Sequence, residues 1–148
     1  MRPDLRKTTN SWFLSCWLSA ILLFFILGCV SLLFQPYQHF PAYGFIGYAL
    51  SIILLLLALT QSQHQWHYLV VSMTLIIFGA IAGFDIVFSS EEIAHSIENH
   101  RFISAIPTKI SAKMLDDYIN ILVLILNIFT GSLAANSLFY GLNKRHFK

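Results

Sequence analysis

One acid stands alone among apolar residues. Asp85 lies in Gly83-Phe84-Asp85-Ile86-Val87-Phe88, and a carboxyl group in such a run is costly unless it is paired, hydrated or protonated. Two chemistries follow. Asp85 serves a proton or ion path inside a membrane, or it sits close enough to the end of its run to reach headgroups or one of Arg101, Lys109 and Lys113. Asn120 and Asn127 make a second candidate. Seven residues apart, they fall on nearly one helix face, and their amides can both donate and accept. Such a stripe suits a contact between helices or the wall of a hydrated cavity.

Other reactive side chains form no set. His64 with His67 and His95 with His100 can bring imidazoles together, but no cysteine or carboxylate completes a tetrahedral site on the same short loop. Cys16 and Cys29 fall in one apolar run, about 20 Å apart along a helix and far beyond the roughly 7 Å reach of a disulfide. No CxxC, nucleophile motif or phosphate-binding glycine loop is present. The expectation is therefore no catalytic residue, no metal, no cofactor, and a protein that is not an enzyme.

The elements that must position these residues follow from composition. The 148 residues are 57% hydrophobic and 11% charged, against roughly 25% charged in a soluble domain. The apolar residues gather in unbroken stretches rather than in patterns that leave one face wet. Four stretches reach the roughly 20 residues that a spanning helix needs, over about 12–34, 42–60, 66–88 and 117–142. The first follows a basic start, yet it is longer than a signal-peptide core and no small-residue cleavage site follows it, so it reads as a span.

The fold class expected is all-α: a four-helix transmembrane bundle, or tetraspan, with a short amphipathic helix in the third loop. It forms a single domain over 1–148, with 89–116 as the one substantial external loop. In that loop Ser89 and Glu92 read as a capping box. Ile93 and Ile97 fall on one side of the helix that follows, and Ser111 or Thr108 is placed to cap the fourth span. Tyr37, Phe40, Tyr43, Trp66 and Tyr68 suit the headgroup level.

Small residues at helical spacing mark where helices can approach in lipid. Gly79 and Gly83 form such a pair in the third span, and Gly131 and Ala135 in the fourth. Gly47 with Ser51 and Ser15 with Ser19 repeat it in the second and first.

Six lysines and arginines lie in the two tails, none in the first two loops, and three in the third loop. Four spans put both tails on one side, so the N- and C-termini are expected in the cytoplasm. The net charge of +2 then reports orientation and not a nucleic-acid surface. Size and composition resemble those of a small bacterial inner-membrane protein. The expected partners are the lipid bilayer and either a second copy or another membrane protein, with no nucleic acid. The function expected is non-enzymatic, that of an oligomeric or accessory, immunity or sensor-type subunit. The alternative is a small oligomeric ion channel or proton pathway using Asp85 and the asparagine face of the fourth span.

Overall fold

Lipid offers no partner to a peptide N–H or C=O, so each apolar run must close its hydrogen bonds within itself. The computed structural model, which describes residues 4–60, 62, 64–98 and 111–143, shows how. Helix α1 is Asp4–Phe34, followed by a 3₁₀ turn at Pro36–Gln38; α2 is Tyr43–Thr60, α3 Gln65–Phe88, α4 Ser90–Glu98 and α5 Ala112–Leu142. Four of these helices are long and apolar enough to cross a membrane: Ser11–Phe34 within α1, all of α2 and α3, and Lys113–Leu142 within α5. With 31 residues each, α1 and α5 run about 46 Å at 1.5 Å per residue. That is longer than the roughly 30 Å needed to cross the hydrocarbon of a bilayer.

The helix ends have local causes. Helix α1 stops where Gln35 turns left-handed, at φ 46° and ψ 53°, a conformation that costs a residue with a Cβ about 1–2 kcal/mol. Pro36 then opens the 3₁₀ turn, where its missing N–H is no loss. Helix α3 ends at Ser89, whose N–H donates to the Asp85 and Val87 carbonyl oxygens. The Ser89 carbonyl accepts from the Ile93 N–H at 3.0 Å. The corner into α4 is thus made by backbone, and the capping box expected from Ser89 and Glu92 forms no side-chain bond among the described residues. Ser111 does cap α5, its Oγ accepting from the Met114 N–H at 3.3 Å. The helix therefore starts at Ala112, ahead of the apolar stretch expected from about 117. Residues 99–110, with Arg101, Lys109 and the apolar residues expected to extend the loop, lie outside the described residues, as do 144–148.

Helices α1 and α2 pair, α3 touches both, α5 runs along α3, and α4 contacts the 3₁₀ turn and α5. Phe24 of α1 stacks on Phe78 of α3 with ring centroids 3.8 Å apart, and tilts against Tyr48 of α2 at 5.1 Å. Leu55, Val71, Leu75 and Ile86 are fully enclosed around this cluster. Outward-facing Phe25, Leu32 and Phe88 are 72%, 83% and 84% exposed, which fits lipid and not water as the surrounding solvent.

The α3–α5 seam is antiparallel and held by hydroxyls and small residues. Ser72 Oγ donates to the Ala134 carbonyl at 2.8 Å and Ser137 Oγ to the Tyr68 carbonyl at 3.0 Å. Gly79 and Gly83 are buried here. A Cβ at Gly79 would lie 3.1 Å from Thr130 Oγ1, and one at Gly83 would lie 2.7 Å from Asn127 Nδ2. Gly47 and Ser51 are buried too, with Gly47 against Leu27 of α1. The other two small-residue pairs do not meet a neighbour as expected: Ser15, Ser19, Gly131 and Ala135 are exposed.

The seam separates the two fourth-span-facing motifs in a measurable way. Gly79→Leu is expected to lower stability in detergent by about 1–3 kcal/mol through overpacking. Gly131→Leu, where an added Cβ meets nothing within 4 Å, should leave the unfolding midpoint of the isolated chain unchanged.

Candidate functional site

Asp85 lies in the last turn of α3, and three hydroxyl groups from three other elements converge on it. Ser31 Oγ of α1 donates to Oδ1 at 2.6 Å. The phenols of Tyr37, from the 3₁₀ turn, and Tyr48, from α2, each donate to Oδ2 at 2.6 Å. Asp85 is thus the acceptor in all three, which is how a carboxylate behaves. The distances fall in the roughly 2.5–2.7 Å range of O–H donors on a carboxylate. Hydrogen bonds to a charged group contribute about 1.5–3 kcal/mol each, enough to explain how an acid is held in an apolar run without a base beside it.

Each donor is placed by a local feature. Ser31 is on the inward side of α1. The left-handed Gln35 turns the chain sharply after α1, so that Tyr37 comes back against α3, and the Tyr37–Asp85 bond offsets the cost of that turn. Gly44 at the start of α2 leaves room for the phenol, since a Cβ there would collide with the Tyr37 hydroxyl. Tyr43 braces the turn, its hydroxyl donating to the Leu27 carbonyl at 3.1 Å and its ring meeting Tyr37 edge-on at 5.7 Å. Tyr37 and Tyr48 are each 1% exposed. Burial first, and then the bond to Asp85 and its negative charge, push the Tyr37 phenol well above its ordinary range, so it stays a neutral donor.

A cavity of about 450 Å³ opens beside the cage, lined by Gly28 and Ser31 of α1, Gln35 just past its end, Phe84 and Asp85 of α3, and Glu92 of α4. Among the described residues no basic side chain bonds to Asp85. Lys113 instead shares a separate cavity with Glu91, His95 and Asp116, and Arg101 and Lys109 lie outside the described residues. The pairing with Lys113 that the sequence allowed is therefore replaced by hydroxyl donors.

Asn120 and Asn127 are not brought to Asp85. Both are exposed, and neither side chain makes a hydrogen bond among the described residues. Asn127 instead joins Gly79, Gly83, Thr130 and Gly131 along an apolar groove of about 450 Å³ between α3 and α5. His64 and His67 meet edge to face at 5.3 Å. His67 is otherwise occupied by stacking on Phe13 at 3.8 Å and by Ser62 Oγ at 2.9 Å. Among the described residues no three metal-ligating side chains gather.

Ser31, Tyr37 and Tyr48 escape a reading by sequence. Tyr37 in particular looks like an interfacial ring and is instead enclosed. The available signal was that an acid this deep needs donors, and that hydroxyl-bearing residues at the matching end of α1 and in the first loop are the nearest supply. Comparison with protein families, with curated proteins and with solved structures gives no match to this chain.

Tyr48→Phe and Tyr37→Phe are each expected to destabilise the protein by about 1.5–3 kcal/mol. In an Asp85→Asn background both losses should shrink, and a double-mutant cycle of unfolding in mixed micelles reads the difference. Because the folded Tyr37 phenol holds its proton above the unfolded value of 10.0, its contribution is complete below pH 10 and fades as pH climbs through the higher folded value. Unfolding midpoints measured across alkaline pH should therefore fall more steeply in the wild type than in Tyr37→Phe.

Proposed function

We propose that this chain is a non-enzymatic subunit of a bacterial inner membrane, working by association with a second copy or with another membrane protein in an accessory, immunity or sensor role. The observation that carries the proposal is the exposed edge of α5 along its groove with α3. Asn120, Asn127, Gly131 and Ala135 are all exposed, Asn127 and Gly131 line that groove, and the two amides have no hydrogen-bond partner among the described residues. An amide facing hydrocarbon leaves its hydrogen-bonding groups unsatisfied. A partner helix placed over small residues can approach closely and satisfy them, at about 0.6–2 kcal/mol per bond.

Two further features support it. The lysine and arginine count favours cytoplasmic tails, which puts α4 and the rest of the third loop outside. There α4 reads as an amphipathic helix on the membrane surface, burying Ser90, Ile93 and Ala94 and offering the acidic side chains of Glu91 and Glu98 outward as a docking face. A second reading, a proton pathway, is favoured by one observation alone: Asp85 lies within a chain of hydroxyls that includes Tyr37, Tyr48 and Ser31.

Light scattering on the full chain in mild detergent should give a dimer or larger assembly, or a stoichiometric co-purifying protein. Asn127→Leu combined with Gly131→Leu should shift it to the monomer without lowering helix content. A monomer without partner in the wild type overturns the association reading. For the second reading, proteoliposomes should show proton flux that Asp85→Asn abolishes; vesicles that stay electrically silent with wild-type protein dismiss it.

A further inference from the structure

We infer that the cavity beside Asp85 is a binding site for a small organic cation, a substituted ammonium group carried on an apolar body. The inference does not depend on how the chain associates.

The cavity has the size of a small-molecule site, about 450 Å³ where such sites span roughly 300–1,000 Å³. Its charge is one-sided. Asp85 and Glu92 both line it, and among the described residues neither has a cation. The hydroxyl donors that hold the Asp85 carboxyl group in place are neutral and bring no positive charge to it. A carboxylate offers about four acceptor positions, and the cage uses one on Oδ1 and two on Oδ2. The absence of any cation beside these two acids among the described residues is what a substituted ammonium group would answer, by charge alone when quaternary and through the remaining position on Oδ1 as well when it carries an N–H.

The rest of the lining fits the rest of such a ligand. Phe84 supplies an exposed aromatic ring, and the faces of such rings attract cations by about 0.5–2 kcal/mol. Leu32, Phe84 and Phe88 along the opening are 83%, 64% and 84% exposed, an apolar approach for the ligand's body from the lipid side. Gly28 keeps the space open, since a Cβ at that position meets nothing within 4 Å. The lining residues recur at helical spacing, Gly28, Ser31 and Leu32 on α1 and Ile81, Phe84 and Phe88 on α3, so two helix faces frame the site. The same chemistry is found in a free amphiphilic amine and in the headgroup of a choline lipid.

The test uses the full chain in dodecyl maltoside with benzyltrimethylammonium as probe and neopentylbenzene as its neutral isostere, binding being followed by equilibrium dialysis. Saturable binding of the cation, at least tenfold tighter than that of the isostere, is expected. Glu92→Gln should weaken it about three- to tenfold. Gly28→Leu fills the cavity without touching the cage, so it should abolish binding while helix content and the unfolding midpoint stay as in the wild type. Repeating the titration in phosphatidylcholine nanodiscs separates the sources. Affinity that drops at least tenfold there assigns the site to the lipid headgroup, and unchanged affinity assigns it to a free amine. Equal binding of cation and isostere, or full affinity in Gly28→Leu, overturns the proposal.

Discussion

A carboxylate in an apolar surround is the constraint around which one end of this molecule is arranged. Taking a charged group out of water costs several kcal/mol even after the protein relaxes, and lipid supplies nothing in return. Three short hydroxyl bonds are the compensation here. They come from α1, from the 3₁₀ turn and from α2, so satisfying one side chain ties together every element on that side of α3. The left-handed Gln35, the enclosed Tyr37 and the bare backbone of Gly44 make sense as parts of this single arrangement.

Helix α3 is the hub because its two sides do different work. Asp85 and Gly83 are two residues apart and so about 200° around the helix. One side carries the cage and the aromatic contact of Phe78 with Phe24. The other carries Gly79 and Gly83, which let α5 come close, with Ser72 and Ser137 closing the seam toward the other end. Energy in the two halves has different origins. Toward α1 and α2 it comes from charge-assisted bonds and ring packing, and toward α5 from close van der Waals approach and hydroxyl-to-carbonyl bonds. Helix α5 keeps an open edge beside that seam. Asn127 lies on this edge over Gly83, exposed like Asn120 and without a hydrogen bond among the described residues, which is the basis for reading the chain as one that associates.

The carboxylate also gives the surface its electrical character. The cage fixes the position of the charge without cancelling it, and Glu92 from α4 adds a second charge at the mouth of the same cavity. A fixed anion with an apolar approach is a natural receptor for a cation that can travel in lipid. The groove against α5 and the cavity beside α1 meet at Phe84, which lines both.

How much of this was legible beforehand depended on whether a property belongs to one helix or to several. Four apolar stretches predict four spanning helices because lipid forces each to satisfy its own backbone, and Ser111 predicts its helix start because a cap is a bond three residues long. Asp85 stood out for the same local reason, as a charge in the wrong solvent. Its partners did not, because Ser31, Tyr37 and Tyr48 are separated from it by 54, 48 and 37 residues and nothing in their spacing encodes which way α1 and the first loop face. Likewise four small-residue pairs look equivalent in sequence, yet Gly79 with Gly83 and Gly47 with Ser51 are buried while Gly131 with Ala135 and Ser15 with Ser19 are not. Residue type sets what each helix can do, and only the packing of one helix against another decides which of its faces is used.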